Sequence, residues 1–272
     1  MLQKSMGKGY NYAYHEYQKY HEYHMSGHSK WSTIKRQKGA ADQKRGLLFT
    51  KLSNSITLAV KQGGGIGDPA LNFRLRLAID AARVSNMPKE NIERAISRAA
   101  GAAADQMQEV VYEGFGPGGF SVIVVAVTDN KLRTNSEIRN IFDKHGGSFG
   151  VPGSVGYQFS QAGCIIAKKD GKSLDDFFLL AADCGAEDVE EIGEEVVIYT
   201  KHDQLAKVRE ALQSEGVHIQ EAKLIRKPTM LSHIIDSGIA NKALSFTSLL
   251  EEHQDVQEVF TNFDIPDSLI KA

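Results

Sequence analysis

No stretch of this 272-residue chain approaches the roughly 18 consecutive uncharged apolar residues that a membrane-spanning helix needs, and its first residues lack the apolar core of a secretory signal. The expected setting is therefore the cytoplasm, with no membrane partner. Cysteine is scarce. Cys164 and Cys184 stand outside any Cys-x-x-Cys spacing and have no histidine at ligand distance, which suits a reducing compartment and argues against a structural zinc site. Catalytic constellations are missing as well. His145, His202, His218, His233 and His253 are scattered, no serine or cysteine sits in a nucleophile elbow, and no acidic pair lies in a metal motif. These absences point away from an enzyme and from any cofactor or metal.

What the chain does have is an uneven charge. Residues 26–100 hold fourteen Lys and Arg against five Asp and Glu, about +9, whereas residues 101–272 hold fifteen against twenty-seven, about −12. A basic head is thus attached to an acidic body, the electrostatic footprint of a module that meets a polyanion joined to modules that do not. Residues 1–25, with six tyrosines and three histidines between positions 10 and 24 and few aliphatic side chains, are expected to be a disordered extension.

Three helices are legible in the head. Over residues 47–62, Phe49, Leu52, Ile56, Ala59 and Val60 recur on one helical face, and Gly63, Gly64 and Gly65 end the pattern. Asp68 followed by Pro69 reads as an N-cap with proline in the first turn, ahead of a stripe of Leu71, Leu75, Ala78, Ile79 and Ala82. Pro88 opens a third helix. In it Ile92, Ala95, Ile96 and Ala99 point one way, and Glu90, Arg94 and Arg98 are spaced as an i, i+4 ladder on the other side.

Ahead of these helices lie Lys30, Lys35, Arg36, Lys38, Lys44 and Arg45, with the single tryptophan, Trp31, among them; Asp42 is the only acid between Met25 and Asp68. Neighbours in sequence cannot neutralise such a run, and phosphates can. If about six phosphates are contacted, counterion release at about 0.9 per contact implies a roughly thousandfold loss of affinity between about 50 and 200 mM salt. The candidate nucleic-acid-binding residues are these seven together with Lys51, Arg76, Arg83, Arg94 and Arg98. Trp31 suits a lid on the helical core better than a base-stacking platform.

The run Met25, Ser26, Gly27, His28, Ser29, Lys30, Trp31, then Ile34, Lys35, Asp42 to Arg45, Gly64, Gly65, Asp68, Pro69, Asn72, Leu75, Arg76 and the Asn86, Met87, Pro88, Asn91, Ile92 motif resembles the YebC/PmpR family. The resemblance extends from Met25 almost to the C-terminus. It implies a three-domain cytoplasmic protein with a helical N-terminal domain and two α+β domains, without an enzymatic reaction. Family members are described as DNA-binding transcriptional regulators, and some as factors acting on the ribosome. Family chains usually begin at a Met equivalent to Met25, which sets residues 1–24 apart.

In the body, residues 110–113 and 120–128 read as strands flanking the glycine-rich Gly114, Gly116, Pro117, Gly118 and Gly119. The stretch satisfies G-x-G-x-x-G literally. A phosphate cradle, however, requires a helix after the glycines, and Pro117 has no N–H to give an anion, so a hairpin is expected. A helix over 135–145 follows, then a loop at 147–156 in which Gly147, Phe149 and Gly150 are candidates for partner contact, and a strand at 155–159. From residue 163 the order strand, helix, strand, strand, helix, strand gives a ferredoxin-like βαββαβ unit. It lacks the aromatic signature of an RNA-binding sheet, and Asp183, Glu187, Asp188, Glu190, Glu191, Glu194 and Glu195 would repel phosphates; a protein partner and a merely solvated face account for them equally well. A strand at 229–234, a helix at 246–253 and a strand at 256–263 complete the chain.

The expected fold is α+β: an extension (1–25), a basic helical domain (26–103), a discontinuous α+β domain (104–160 with 228–272) and a ferredoxin-like insertion (161–227). The expected function is a non-enzymatic regulator of gene expression whose first partner is duplex DNA and whose second is ribosomal RNA. A protein partner for the acidic domains is the further expectation.

Overall fold

The computed structural model describes residues 42–99, 107–266 and 269. In the head, α1 (Asp42–Gln62), α2 (Phe73–Val84) and α3 (Lys89–Arg98) enclose a small core of Ile56, Val60, Leu75, Ile79, Ala82, Met87, Ile92 and Ala95. α1 begins five residues before the expected start, so Lys44 and Arg45 lie on a helix. Its end is set by glycine: Gly63 N–H donates to the Ala59 carbonyl and Gly65 N–H to that of Val60, with Gly64 and Gly65 at φ of 71° and 84°.

The start of α2 departs from expectation. Asp68 closes a local turn by accepting from Ala70 N–H at 2.8 Å, and Asn72 is the cap, accepting from Leu75 N–H at 3.1 Å. The same buried asparagine donates to the carbonyls of Ala59 at 2.9 Å and Ile66 at 3.1 Å. One side chain therefore ties the end of α1, the glycine turn and the start of α2, and a short cap at residue 68 cannot make all three bonds. Leu71, expected in the buried stripe, is 75% exposed because it precedes the helix. Pro88 does precede α3, as the sequence predicts.

The body contains two four-stranded sheets. In the first, β1 (Gln108–Phe115) and β2 (Ser121–Thr128) form a hairpin running from Gln108 opposite Thr128 to Phe115 opposite Ser121. The turn is the glycine segment, with Gly118 and Gly119 at φ of 93° and 86°; a strand follows it, as expected of a hairpin. α4 (Lys131–Lys144) is capped by Asn130 and begins four residues before expectation. β3 (Ser148–Phe149) adds to the edge of β1.

Residues expected to form a strand at 155–159 instead begin with a 3-10 turn at Gly156–Gln158, because the N–H groups of Gly153, Val155 and Gly156 are held by one carboxylate described below. β4 (Phe159–Lys168), α5 (Leu174–Asp183), β5 (Asp188–Ile192), β6 (Glu195–Lys201), α6 (Leu205–Ser214) and β7 (Ile219–Pro228) then form an antiparallel sheet in the order β5-β6-β4-β7, with both helices on one face over Ile165, Phe177, Val196, Ile198, Leu205 and Val208. That is the strand order of a ferredoxin-like unit.

After it the chain returns to the first sheet. β8 (Ser232–His233) is shorter than the expected strand and pairs only with β10 (Phe263–Asp264). α7 (Ser237–Glu252) starts nine residues early on an Asp236 cap, and β9 (Val256–Thr261) pairs with β2, giving the order β3-β1-β2-β9. α4 and α7 cover one face of this sheet around Phe120, Ile138, Phe142, Phe246 and Phe263. The fold is α+β, with a helical N-terminal region.

Candidate nucleic-acid interface

The cations proposed from sequence meet different fates. Lys30, Trp31, Lys35, Arg36 and Lys38 lie outside the described residues, and Lys44 is placed only as part of α1. Lys51 is used internally: its ammonium donates to the Glu251 carbonyl at the end of α7. Arg76 pairs with Glu210 of α6 at 3.2 Å and lies over the Phe73 ring. Arg98 bonds Asn54 at 2.9 Å and the Thr57 hydroxyl, so the expected ladder of Glu90, Arg94 and Arg98 gives way to a single i, i+4 pair, Lys89 with Glu93 at 3.5 Å. The physical reason is that Asn54 and Thr57 on α1 lie within hydrogen-bonding distance of Arg98.

Arg45, Arg83 and Arg94 point to solvent. Arg83 is 70% exposed and 3.7 Å from Asp80; Arg45 and Arg94 are exposed and have no ion pair among the described residues. Arg76 and Arg83 are brought together along one hollow on the outside of α2, beside Pro69 and Ile79.

Head and body are tied to each other. Arg209 of α6 pairs with Asp80 of α2 at 2.6 Å, Ser55 bonds Gln257 at 2.8 Å, and Phe73 and Leu77 pack against the ferredoxin-like core. The exposed cations are consequently held at fixed positions by the rest of the molecule.

The loop at 147–156 is built with care. Glu113 of β1 accepts from the N–H groups of Gly153, Val155 and Gly156 at 2.9, 2.8 and 2.7 Å. Burial opposes its charge, but these three donors and Arg226 outweigh that and hold its carboxyl below the usual carboxylate range. Phe149 is not a free probe: it packs between Tyr112 and Phe142, under the Arg139 guanidinium at 4.6 Å. Gly150 leaves no room for a side chain, since a Cβ there would lie 2.3 Å from the Ser154 hydroxyl. What the loop presents outward is Val151 and Tyr157, 73% and 74% exposed, beside Met230 at 66%. Sequence reasoning missed these, because it singled out the half-buried Phe149 instead.

The acidic segment is partly internal. Asp188 pairs with Lys227 at 2.9 Å, Glu191 with Lys169, and Glu190 is buried against the Tyr199 hydroxyl at 3.0 Å. Burial, reinforced by Asp188, lifts the Glu190 carboxyl to about 7 despite Lys227 and Tyr199. Glu137, His253 and Asp255 bring three metal-type donors within 4.8 Å of one another. The cation they already hold is Arg133, whose guanidinium lies 2.9 Å from Asp255, while Thr134 donates to the same oxygen at 2.7 Å. Burial works against the charge of Asp255, yet Thr134 and Arg133 keep its pKa below the ordinary value.

A further feature joins residues far apart in sequence. Lys144 and His145 at the end of α4 meet Lys242 of α7 across a cleft of about 660 Å³ beside the 116–119 turn. Nothing local in the sequence signals this meeting.

The described residues make an α+β protein whose helical N-terminal region packs against the two sheets that follow. A family model described as "TACO1/YebC protein N-terminal domain" matches residues 29–102, and one described as "TACO1/YebC second and third domain" matches residues 107–263. The chain belongs to the TACO1/YebC family. Relatives named "Probable transcriptional regulatory protein" include one from Chloroflexus aggregans, 48% identical over 91% of this chain and 98% of its own length, and one from Dictyoglomus thermophilum, 46% identical over 91% and 99%. The crystal structure of a conserved hypothetical protein from Aquifex aeolicus, 41% identical, superposes with a TM-score of 0.78 over 85% of this chain and 95% of that one. Among the described residues no helix is long and apolar enough to cross a membrane.

Proposed function

We propose that this protein is a non-enzymatic regulator of gene expression, working in the cytoplasm, that grips nucleic acid through its helical head, duplex DNA being the first target. The observation that carries this reading is the excess of positive charge in the head, where Arg45, Arg83 and Arg94 face solvent. The relatives' name, probable transcriptional regulatory protein, supports the regulatory role. Lys30, Lys35, Arg36, Lys38 and Lys44 are assigned to the same task by their charge in the sequence, whereas Lys51, Arg76 and Arg98 act mainly to hold the head in place. Phosphate contacts of this type position a protein on a polymer without reading its sequence. No helix-turn-helix signature supplies major-groove readout, so discrimination by shape is the expected mode.

A second reading is favoured by the rigid loop. Glu113 fixes the backbone of 153–156 and leaves Val151 and Tyr157 exposed, which suits insertion into a groove of a large assembly such as the ribosome. Crosslinking in cells followed by sequencing of the bound nucleic acid separates the two. Enrichment of promoter DNA is expected, and enrichment of ribosomal RNA in its place reverses the order of the two targets.

A further inference from the structure

The body is acidic, and some of its cations are matched: Arg133 with Asp255, Lys169 with Glu191, Lys223 with Glu221 and Glu258, and Lys227 with Asp188. The cleft between the 116–119 turn and α7 brings two others to one place with no acid among them. Lys144 and Lys242 line it with His145, Asn241 and Ser245, and no aspartate or glutamate is among its lining residues. Both lysines are exposed and have no ion pair among the described residues. The nearest acids in sequence are turned to other tasks or lie outside the lining: Asp236 caps α7 through Ile239 N–H at 2.8 Å, and Asp143 sits on α4. A helix dipole accounts for a lysine in the last turn of α4 but not for Lys242, which lies toward the positive end of α7.

We infer that this cleft seats phosphate groups of the bound nucleic acid, a second grip on the body separate from the head. The inference rests on the nucleic-acid reading above and deepens it. Gly118 at φ of 93° and Gly146 at φ of 78° leave bare backbone at the rim, where a polymer can approach closely. A Cβ on Gly118 would lie 2.6 Å from Ile239, so the turn and α7 are already in contact and the cleft floor is formed without rearrangement. Ile239, 37% exposed, offers an apolar edge for a sugar or base beside the two ammonium groups. The cleft opens to solvent along its length, which suits a chain passing through it rather than an enclosed metabolite. From Lys242 to Glu251, whose carbonyl receives Lys51 of the head, α7 advances about 14 Å at about 1.5 Å per residue. α7 thus leads from the cleft to the seam between body and head.

The test is binding of the full-length chain to a fluorescein-labelled duplex DNA and to an RNA hairpin of equal length, followed by anisotropy from about 50 to 200 mM salt. For the Lys144→Gln, Lys242→Gln double variant the slope of log K against log salt is expected to fall by about two and the affinity roughly tenfold, with the Lys144→Arg, Lys242→Arg variant restoring both. Circular dichroism confirms that the variants are folded. An unchanged slope, with Arg45→Gln, Arg94→Gln still lowering it, overturns the second grip and leaves the head in place. Absence of salt-dependent binding by the wild-type chain to either probe overturns both readings. Loss of poly-glutamate binding by the double variant with an unchanged nucleic-acid slope assigns the cleft to an acidic peptide and overturns the inference as well.

Discussion

Head and body hold similar numbers of cations, fourteen and fifteen, but set them against five and twenty-seven acids. In the body, Arg133, Lys169, Lys223 and Lys227 each face a carboxylate at close range, and these pairs knit helices to strands and one sheet to the other. In the head, Arg76, Arg83 and Lys89 also reach a carboxylate, Arg98 is held by Asn54 and Thr57 and Lys51 by a carbonyl, while Arg45 and Arg94 are left to solvent. The lesson is that net charge does not measure capacity for a polyanion. What counts is how many cations remain uncommitted once the chain has folded, because a matched cation must first break its own pair before it can displace a counterion from phosphate.

Three perturbations sharpen the contrast, from the largest effect to the smallest. Reversal of the head run, with Lys35, Arg36, Lys38, Lys44 and Arg45 all replaced by Glu, is expected to weaken nucleic-acid binding by at least about a thousandfold in anisotropy while the circular dichroism spectrum stays that of the folded protein. Loss of fold together with binding would show that these residues are structural.

Asp255→Ala probes the opposite regime. Removing this buried carboxylate takes from Arg133 its shortest ion pair and from Thr134 its shortest hydrogen bond and is expected to cost about 1–3 kcal/mol in chemical denaturation, with nucleic-acid binding unchanged. Because the Asp255 pKa is depressed, its contribution is present above the unfolded carboxylate pKa and lost as pH falls through the lower folded value, so the variant and the wild type converge in acid.

Glu190→Gln gives the smallest effect and a distinctive sign. A carboxyl raised to about 7 stabilises the fold fully below its unfolded pKa and loses that contribution as pH rises to 7. The glutamine can still accept from Tyr199 and does not ionise. The variant is therefore expected to melt a few degrees above wild type at pH 8 and close to it at pH 5; a wild type that remains the more stable at pH 8 would mean that Lys227 keeps Glu190 charged.

Much of this was legible in the sequence because the signals are local. Apolar periodicity located the three head helices, Pro88 located the start of α3, and the β-branched runs with their βαββαβ order gave the second sheet. The misplacements arose where a distant group overrides a local one. Asp68 and Pro69 carry the propensity of a helix start, but buried Asn72 wins by bonding across to Ala59. Residues 155–159 alternate as a strand does, but Glu113, some forty residues earlier, captures two of their N–H groups and that of Gly153 in the preceding turn. The interface was legible only as a charge count. Which cations are spent internally depends on tertiary partners such as Glu210 and the Glu251 carbonyl, and the meeting of Lys144 with Lys242 depends on the chain's return to its first sheet.

The central claim is tested most directly by two variants matched in charge, compared by the salt dependence of binding to one duplex. Arg45→Gln with Arg94→Gln removes two uncommitted head cations, and Lys169→Gln with Lys227→Gln removes two matched body cations. The slope of log K against log salt is predicted to fall by about two in the first pair and to stay at the wild-type value in the second. Equal changes in both would contradict the account, since net charge alone would then govern binding.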